Sequence, residues 1–171
     1  TNFTADKWIA ASEVRPGNRA VVHHTIVYVE PPGARPRRRD YIFLAGYVPG
    51  LRCDTLPERS ARRIPANSNL IFEMHYTPNG SQQVDKTEIG LWSADPDQIE
   101  NEVITTEIGS DSFEIPPGAD DHVVTATSQP TKNEVTMLSM SPHMHLRGKA
   151  FRYELVLPTG EREVLLDVPA Y

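Results

Sequence analysis

The chain of 171 residues contains a single cysteine, Cys53, which excludes an internal disulfide. Cys53 reads either as a free buried thiol or as half of a bridge to a cysteine outside this chain. No apolar run approaches the roughly 20 residues that cross a bilayer as a helix, so no transmembrane segment is expected. Positive charge is also scarce. The net charge is −6, which argues against a general nucleic-acid binder. Two basic runs, RPRRR (35–39) and RSARR (59–63), are local exceptions. Each sits among prolines without interleaved aromatics, so both are read as solvated loops. Helical periodicity is nearly missing, and KWIAASEV (7–14) is the one stretch read as a helical turn. No repeat recurs at a fixed period.

What the chain does have is punctuation. Fifteen prolines and ten glycines separate short apolar runs. These include 20–29, 40–48, 69–77, 87–94, 102–109, 121–128, 134–148, 149–157 and 163–168. They alternate, or they are rich in β-branched and aromatic residues, and PPG, TPNG, ADPD, IPPGADD and LPTG turn the chain between them. The pattern predicts an all-β protein, an antiparallel sandwich or barrel. The polar, turn-rich stretch ADPDQIEN (94–101) marks a boundary, giving domains over 1–98 and 99–171. The second is short for a sandwich and is expected to be incomplete. TNFTADKW at the start and LLDVPAY at the end read as the interior of a longer protein.

The six histidines are not scattered. His23 and His24 are adjacent in the middle of a predicted strand, VVHHTIVYV. Successive strand residues face opposite sides, so a regular strand would hold the two imidazoles apart. A bulge at this point would re-aim one of them and let both reach one metal ion. His75 lies at the end of the strand in NLIFEMHYTPNG and would supply a third nitrogen. His143 and His145 in SPHMHLRG are two apart, so a strand would place both on one face, with Met144 on the other. Imidazole clusters suit copper, zinc, iron or nickel. His122 stands alone after a turn and reads as a surface residue.

VHHTIVYV, FEMHYTPNG and HMHLRG, in this order, resemble the copper type II ascorbate-dependent monooxygenases. Peptidylglycine α-hydroxylating and dopamine β-monooxygenases are the best-known members. The stretches EVRPGNRAVVHH, IFEMHYTPNG and SPHMHLRGKAF are closer to bacterial relatives of the same family. The resemblance runs from about Lys7 to the end of the chain. It implies two jelly-roll-like β-sandwich domains and two coppers in the complete protein. His23, His24 and His75 would hold the electron-transfer copper. His143 and His145 would hold two positions of the copper that meets oxygen and would be the catalytic residues. The implied reaction hydroxylates a C–H bond of a small-molecule or peptide substrate with O2. Ascorbate or another external reductant would supply the electrons, directly or through a fused or partner electron-transfer domain. The implied location is periplasmic or extracellular.

The chain departs from the family at several points. The family's oxygen-binding copper also takes a methionine sulfur well beyond the H-x-H. Met74, Met137, Met140 and Met144 all lie at or before that motif. Glu73 stands where the animal enzymes carry an amide, and their disulfides have no counterpart. A non-catalytic copper-binding or carbohydrate-binding β-sandwich module is the alternative from another class. A cupin-like iron or manganese oxygenase would need a further histidine after the H-x-H, and none follows. A plain structural sandwich with incidental histidines is the last alternative.

Overall fold

The structure, a computed structural model, describes residues 1–37, 40–110 and 112–170. Arg38 and Arg39 of the RPRRR run therefore lie outside the described residues. The strands are β1 (Lys7–Arg15), β2 (Val22–Glu30), β3 (Ile42–Tyr47), β4 (Asp54–Thr55), β5 (Ser60–Ile64), β6 (Asn69–Tyr76), β7 (Glu88–Ser93), β8 (Asn101–Glu102), β9 (Phe151–Val156) and β10 (Arg162–Val168). A 3-10 turn at Pro96–Gln98 precedes β8, and no α-helix occurs among the described residues. The protein is thus nearly all-β, built from antiparallel sheets, with β5–β8 as a short parallel exception.

Residues 1–107 form one compact unit and residues 108–171 another. The division falls later than the expected one after residue 98. The reason is pairing: β8 lies along β5, and Val103 N–H donates to Ala61 C=O. These contacts tie the stretch after ADPDQIEN to the first unit.

In the first unit β3, β2 and β6 make a three-stranded sheet. In the other sheet β1 is central, with β7 along one edge and β5 and β4 sharing the other. Ile9, Val14 and Ile64 from this sheet pack with Val22, Val27, Val29, Leu44, Ala45 and Tyr47 from the first. Two sheets sharing one apolar core make a sandwich-like arrangement, in which removal of apolar surface from water is the main stabilising term.

Two expectations are corrected here. KWIAASEV is not a helical turn but most of β1. Its residues have fair helix propensity, but ladders along both edges and burial of Ile9, Ser12 and Val14 override it. A register shift between Ile9 and Ala11 breaks the period of two and hides the strand from a pattern reading. RSARR is not a solvated loop either, because Ser60–Ile64 is β5. Ala61 and Ile64 are fully buried, while Arg62 is half-buried and Arg63 exposed. Arg62 places its guanidinium 5.7 Å from the Phe43 ring centroid and pairs with Asp54 at 2.9 Å.

The second unit is less regular. β9 and β10 form a hairpin, as the runs 149–157 and 163–168 predict. The runs 121–128 and 134–148 form no strand among the described residues, and 102–109 contributes only the end of β8. Among the described residues, buried side chains are confined to positions up to Ser68, and Val123, Val135 and Met137 are well exposed. β-propensity reflects packing on a half-buried surface, and these runs have no such surface to pack on.

Candidate metal centre

β2 and β6 pair antiparallel from Glu30–Asn69 to Val22–Tyr76. Thr25 lies opposite Met74 and donates its hydroxyl to the Met74 sulfur at 3.5 Å. Thr25, Val27 and Val29 face the core, with Leu70 and Met74 of β6 packed against it. Alternation therefore turns His75 away from the core.

His24 is opposite His75, and Val22 is opposite Tyr76. On β6 these partners are consecutive, but on β2 they are two apart. His23 is the extra residue, so β2 carries the bulge that its histidine pair calls for. The bulge lets Val22 and Thr25 both face the core although they are three positions apart, and both are nearly fully buried. It also leaves His23 and His24 together on the outer side, beside His75.

The three imidazoles come close. Ring centroids lie 5.1 Å apart for His23–His24, 5.2 Å for His23–His75 and 4.6 Å for His24–His75, the last pair stacked. His23 and His75 are exposed and His24 is half-buried. The Nδ1 atoms of His23 and His24 stand 3.0 Å apart. In the metal-free chain one ring can donate Nδ1–H to the other's lone pair at that distance. Two nitrogens about 2.0 Å from one ion and 3.0 Å from each other would subtend about 97° there, which a metal can accept. The donor set and this spacing fit copper or zinc. The third ring, His75, is stacked on His24. Among the described residues no group of three or more His, Cys, Asp or Glu side chains is already gathered around an ion position.

The strand ends beneath the histidines are tied by Asp85, which nothing local in the sequence marks. Its carboxylate accepts from Asn18 N–H at 2.8 Å, Thr87 hydroxyl at 2.7 Å and Tyr76 hydroxyl at 3.1 Å. Burial raises the Asp85 pKa, but bonds from Thr87, Asn18, Tyr76 and Gly17 outweigh it and hold it below the ordinary aspartate range. The Tyr76 hydroxyl is pushed up by burial and by its bond to Asp85. Asp6 is also lowered, by the Ala66 N–H and by Arg63. A carboxylate with a depressed folded pKa stabilises the fold above its unfolded pKa, and loses that contribution as pH falls through the folded value. The contribution of these two carboxylates is therefore expected to be fully present at about pH 5 and to be lost from about pH 4 downward. Urea midpoints taken across that range check it. An Asp85→Asn, Asp6→Asn double variant should show a shallower acid slope.

The second histidine pair sits differently from expectation. His143 and His145 are not on a strand, so a shared strand face does not bring them together. Their rings are nonetheless 5.1 Å apart, edge to face, and both are exposed. The chain turns directly after them, with Gly148 N–H donating to His145 C=O at 2.8 Å. Met144 does not simply point to an opposite strand face. It lies across this turn against Gly148, where an added Cβ would stand 2.6 Å from Met144 Cβ. Among the described residues no group of His, Cys, Asp and Glu completes a set of three around this pair. His122 is exposed, as expected of a surface residue. Cys53 is exposed rather than buried, with its sulfur 3.9 Å from the Thr55 hydroxyl. No helix is long and apolar enough to cross a membrane among the described residues.

Comparison of the chain with protein-family models, curated proteins and solved structures finds no match.

Proposed function

We propose that this chain holds the electron-transfer copper of a copper-dependent monooxygenase on His23, His24 and His75, together with two ligands, His143 and His145, of its oxygen-binding copper. The observation that carries the reading is the bulge at His23, which gathers three imidazoles on the outer face of one sheet. A second support is the ordered text VHHTIVYV, FEMHYTPNG and HMHLRG. The finer fold reading belongs to the same proposal: a jelly-roll-like sandwich in each of two domains. So do ascorbate as reductant and a periplasmic or extracellular setting.

Copper bound at such imidazoles supplies one-electron redox chemistry. The overall reaction takes R–H, O2, two electrons and two protons to R–OH and water. The chain's part is to hold and orient. β2 and β6 anchor the three rings through a buried ladder, while the rings remain on the exposed side, open to a reductant. His143 and His145 sit together on an exposed loop where a substrate can approach them.

A non-catalytic copper-binding module is the second reading. It is favoured by the H-x-H pair bringing two imidazoles together with no further His, Cys, Asp or Glu gathered with them among the described residues.

Elemental analysis after copper loading and removal of excess metal tests both. One tightly held copper is expected per chain, lost in His75→Ala and kept in His143→Ala. Two coppers, each sensitive to one variant, would show that the H-x-H site is complete and set the module reading aside. Failure of the parent chain to retain copper would sink both.

A further inference from the structure

We propose that Asp85 is a positioning residue that locks together the two strand ends bearing His23, His24 and His75. Its consequence for a bound metal rests on the copper reading above, but its effect on the three rings does not.

The Asp85 carboxylate joins the segment before β2 to the end of β6. Asn18 opens the turn into β2: its C=O accepts from Val21 N–H at 3.3 Å and Val22 N–H at 3.1 Å, immediately before His23. Asp85 accepts the Asn18 N–H at 2.8 Å, so it grips that turn by its backbone. The same side chain accepts the hydroxyl of Tyr76, the neighbour of His75, at 3.1 Å. Thr87 at 2.7 Å fixes the carboxylate from its own side. Val21 C=O accepts Thr77 N–H at 2.7 Å, closing the ladder across the same gap. The segment around Asp85 also fits closely against the turn. A Cβ on Gly17 would stand 2.6 Å from Lys86 N and O, so the chain approaches there backbone to backbone.

A carboxylate suits this place chemically. Three donors, the Asn18 N–H and the hydroxyls of Tyr76 and Thr87, converge on Asp85. Two carboxylate oxygens offer about four acceptor sites, whereas a side-chain amide offers only one accepting oxygen. Asparagine should therefore hold part of the junction, and alanine none of it. Without it, the Asn18 N–H and the Tyr76 hydroxyl lose their shared acceptor, and the bond from Thr77 N–H to Val21 C=O is left to hold the strand ends beside the His23 bulge.

The test uses the full chain in two forms. In the metal-free protein, the imidazole 15N and 1H resonances of His23, His24 and His75 are compared among parent, Asp85→Asn and Asp85→Ala. Asp6→Ala serves as a control that removes two bonds near the opposite end of β6. The Asp85 variants should move the ring resonances, alanine more than asparagine, and the control should not. In the second form, titration with copper against a chelator should show about a 10-fold loss of affinity for Asp85→Ala, the low end for a partner outside the ligand set. If Asp85→Ala does not fold, Asp85→Asn decides by the same criteria. Ring resonances unmoved by either variant would overturn the proposal. Moved resonances in a chain that retains no copper would uphold the positioning role and overturn the metal reading alone.

Discussion

Deletion of His23 is expected to leave a folded protein and to lower its copper affinity at least about 100-fold, beyond the 10–100-fold cost of losing an outer partner. The ladder explains both halves. Without His23, Val22 still meets Tyr76 and His24 still meets His75, now with no extra residue between them. Val22, Thr25, Val27 and Val29 then face the core by plain alternation, and β2 becomes a regular strand. Stability should be unchanged or raised by up to about 1 kcal/mol, the net contribution of one hydrogen bond. The bulge is thus dispensable for folding. Its effect is to turn an additional imidazole to the outer face. Deleting Ile26 instead gives the contrast. That change keeps all three histidines but turns either Thr25 and Val22 or Val27 and Val29 out of the core. Each valine removed from the interior costs about 1.5–3 kcal/mol, so this variant should not fold stably. Urea denaturation followed by circular dichroism, beside copper titration, reads both outcomes. A His23-deleted chain that binds copper like the parent would show that the bulge does not serve the metal. One that unfolds would show that the fold itself depends on it.

Ile64→Ala is expected to destabilise the first unit by about 3–4 kcal/mol, within the range for emptying a buried isoleucine site. Ile64 is fully buried and lies in the shared core between the two sheets. It ends β5, opposite Lys7 of β1, in a strand whose other side chains include two arginines. Those arginines cannot move inward to fill the space, since Arg62 is tied to Asp54 and Arg63 to Asp6. Domains of this size have about 5–15 kcal/mol in all, so the change should remove a large share of the stability. The urea midpoint should fall without change in the slope of the transition. A shift of less than about 1 kcal/mol would mean that the two sheets close over the gap, or that β5 adds little to the core.

Strands β2, β3, β6, β7, β9 and β10 are readable from sequence because a period of two is a local property. Val, Ile, Tyr and Phe at alternate positions, bounded by PPG, TPNG or LPTG, need no distant information. β1 and β5 escape the same reading for different reasons. In β1 a register shift between Ile9 and Ala11 breaks the period. In β5 arginines mask a short strand whose buried positions, Ala61 and Ile64, show only once the second sheet covers them. The opposite failure occurs over 121–128 and 134–148. Their local patterns resemble strands, but a strand also requires a neighbour, and none pairs with them among the described residues.

For the candidate site, the sequence by itself determines the kinds of donor and their order along the chain: an adjacent pair, a strand-end histidine, then a pair two apart. It also poses the conflict between adjacent imidazoles and alternating faces. Only the tertiary structure resolves that conflict, by making His23 the unpaired residue of a bulge opposite His75. It alone selects Asp85 to tie the turn at Asn18 to Tyr76. The physical reason is distance along the chain. Thr25 and Met74, whose contact sets the register, are 49 residues apart, and Asn18 and Asp85 are 67 apart. No local window holds both partners, so their pairing is decided by burial of one shared core.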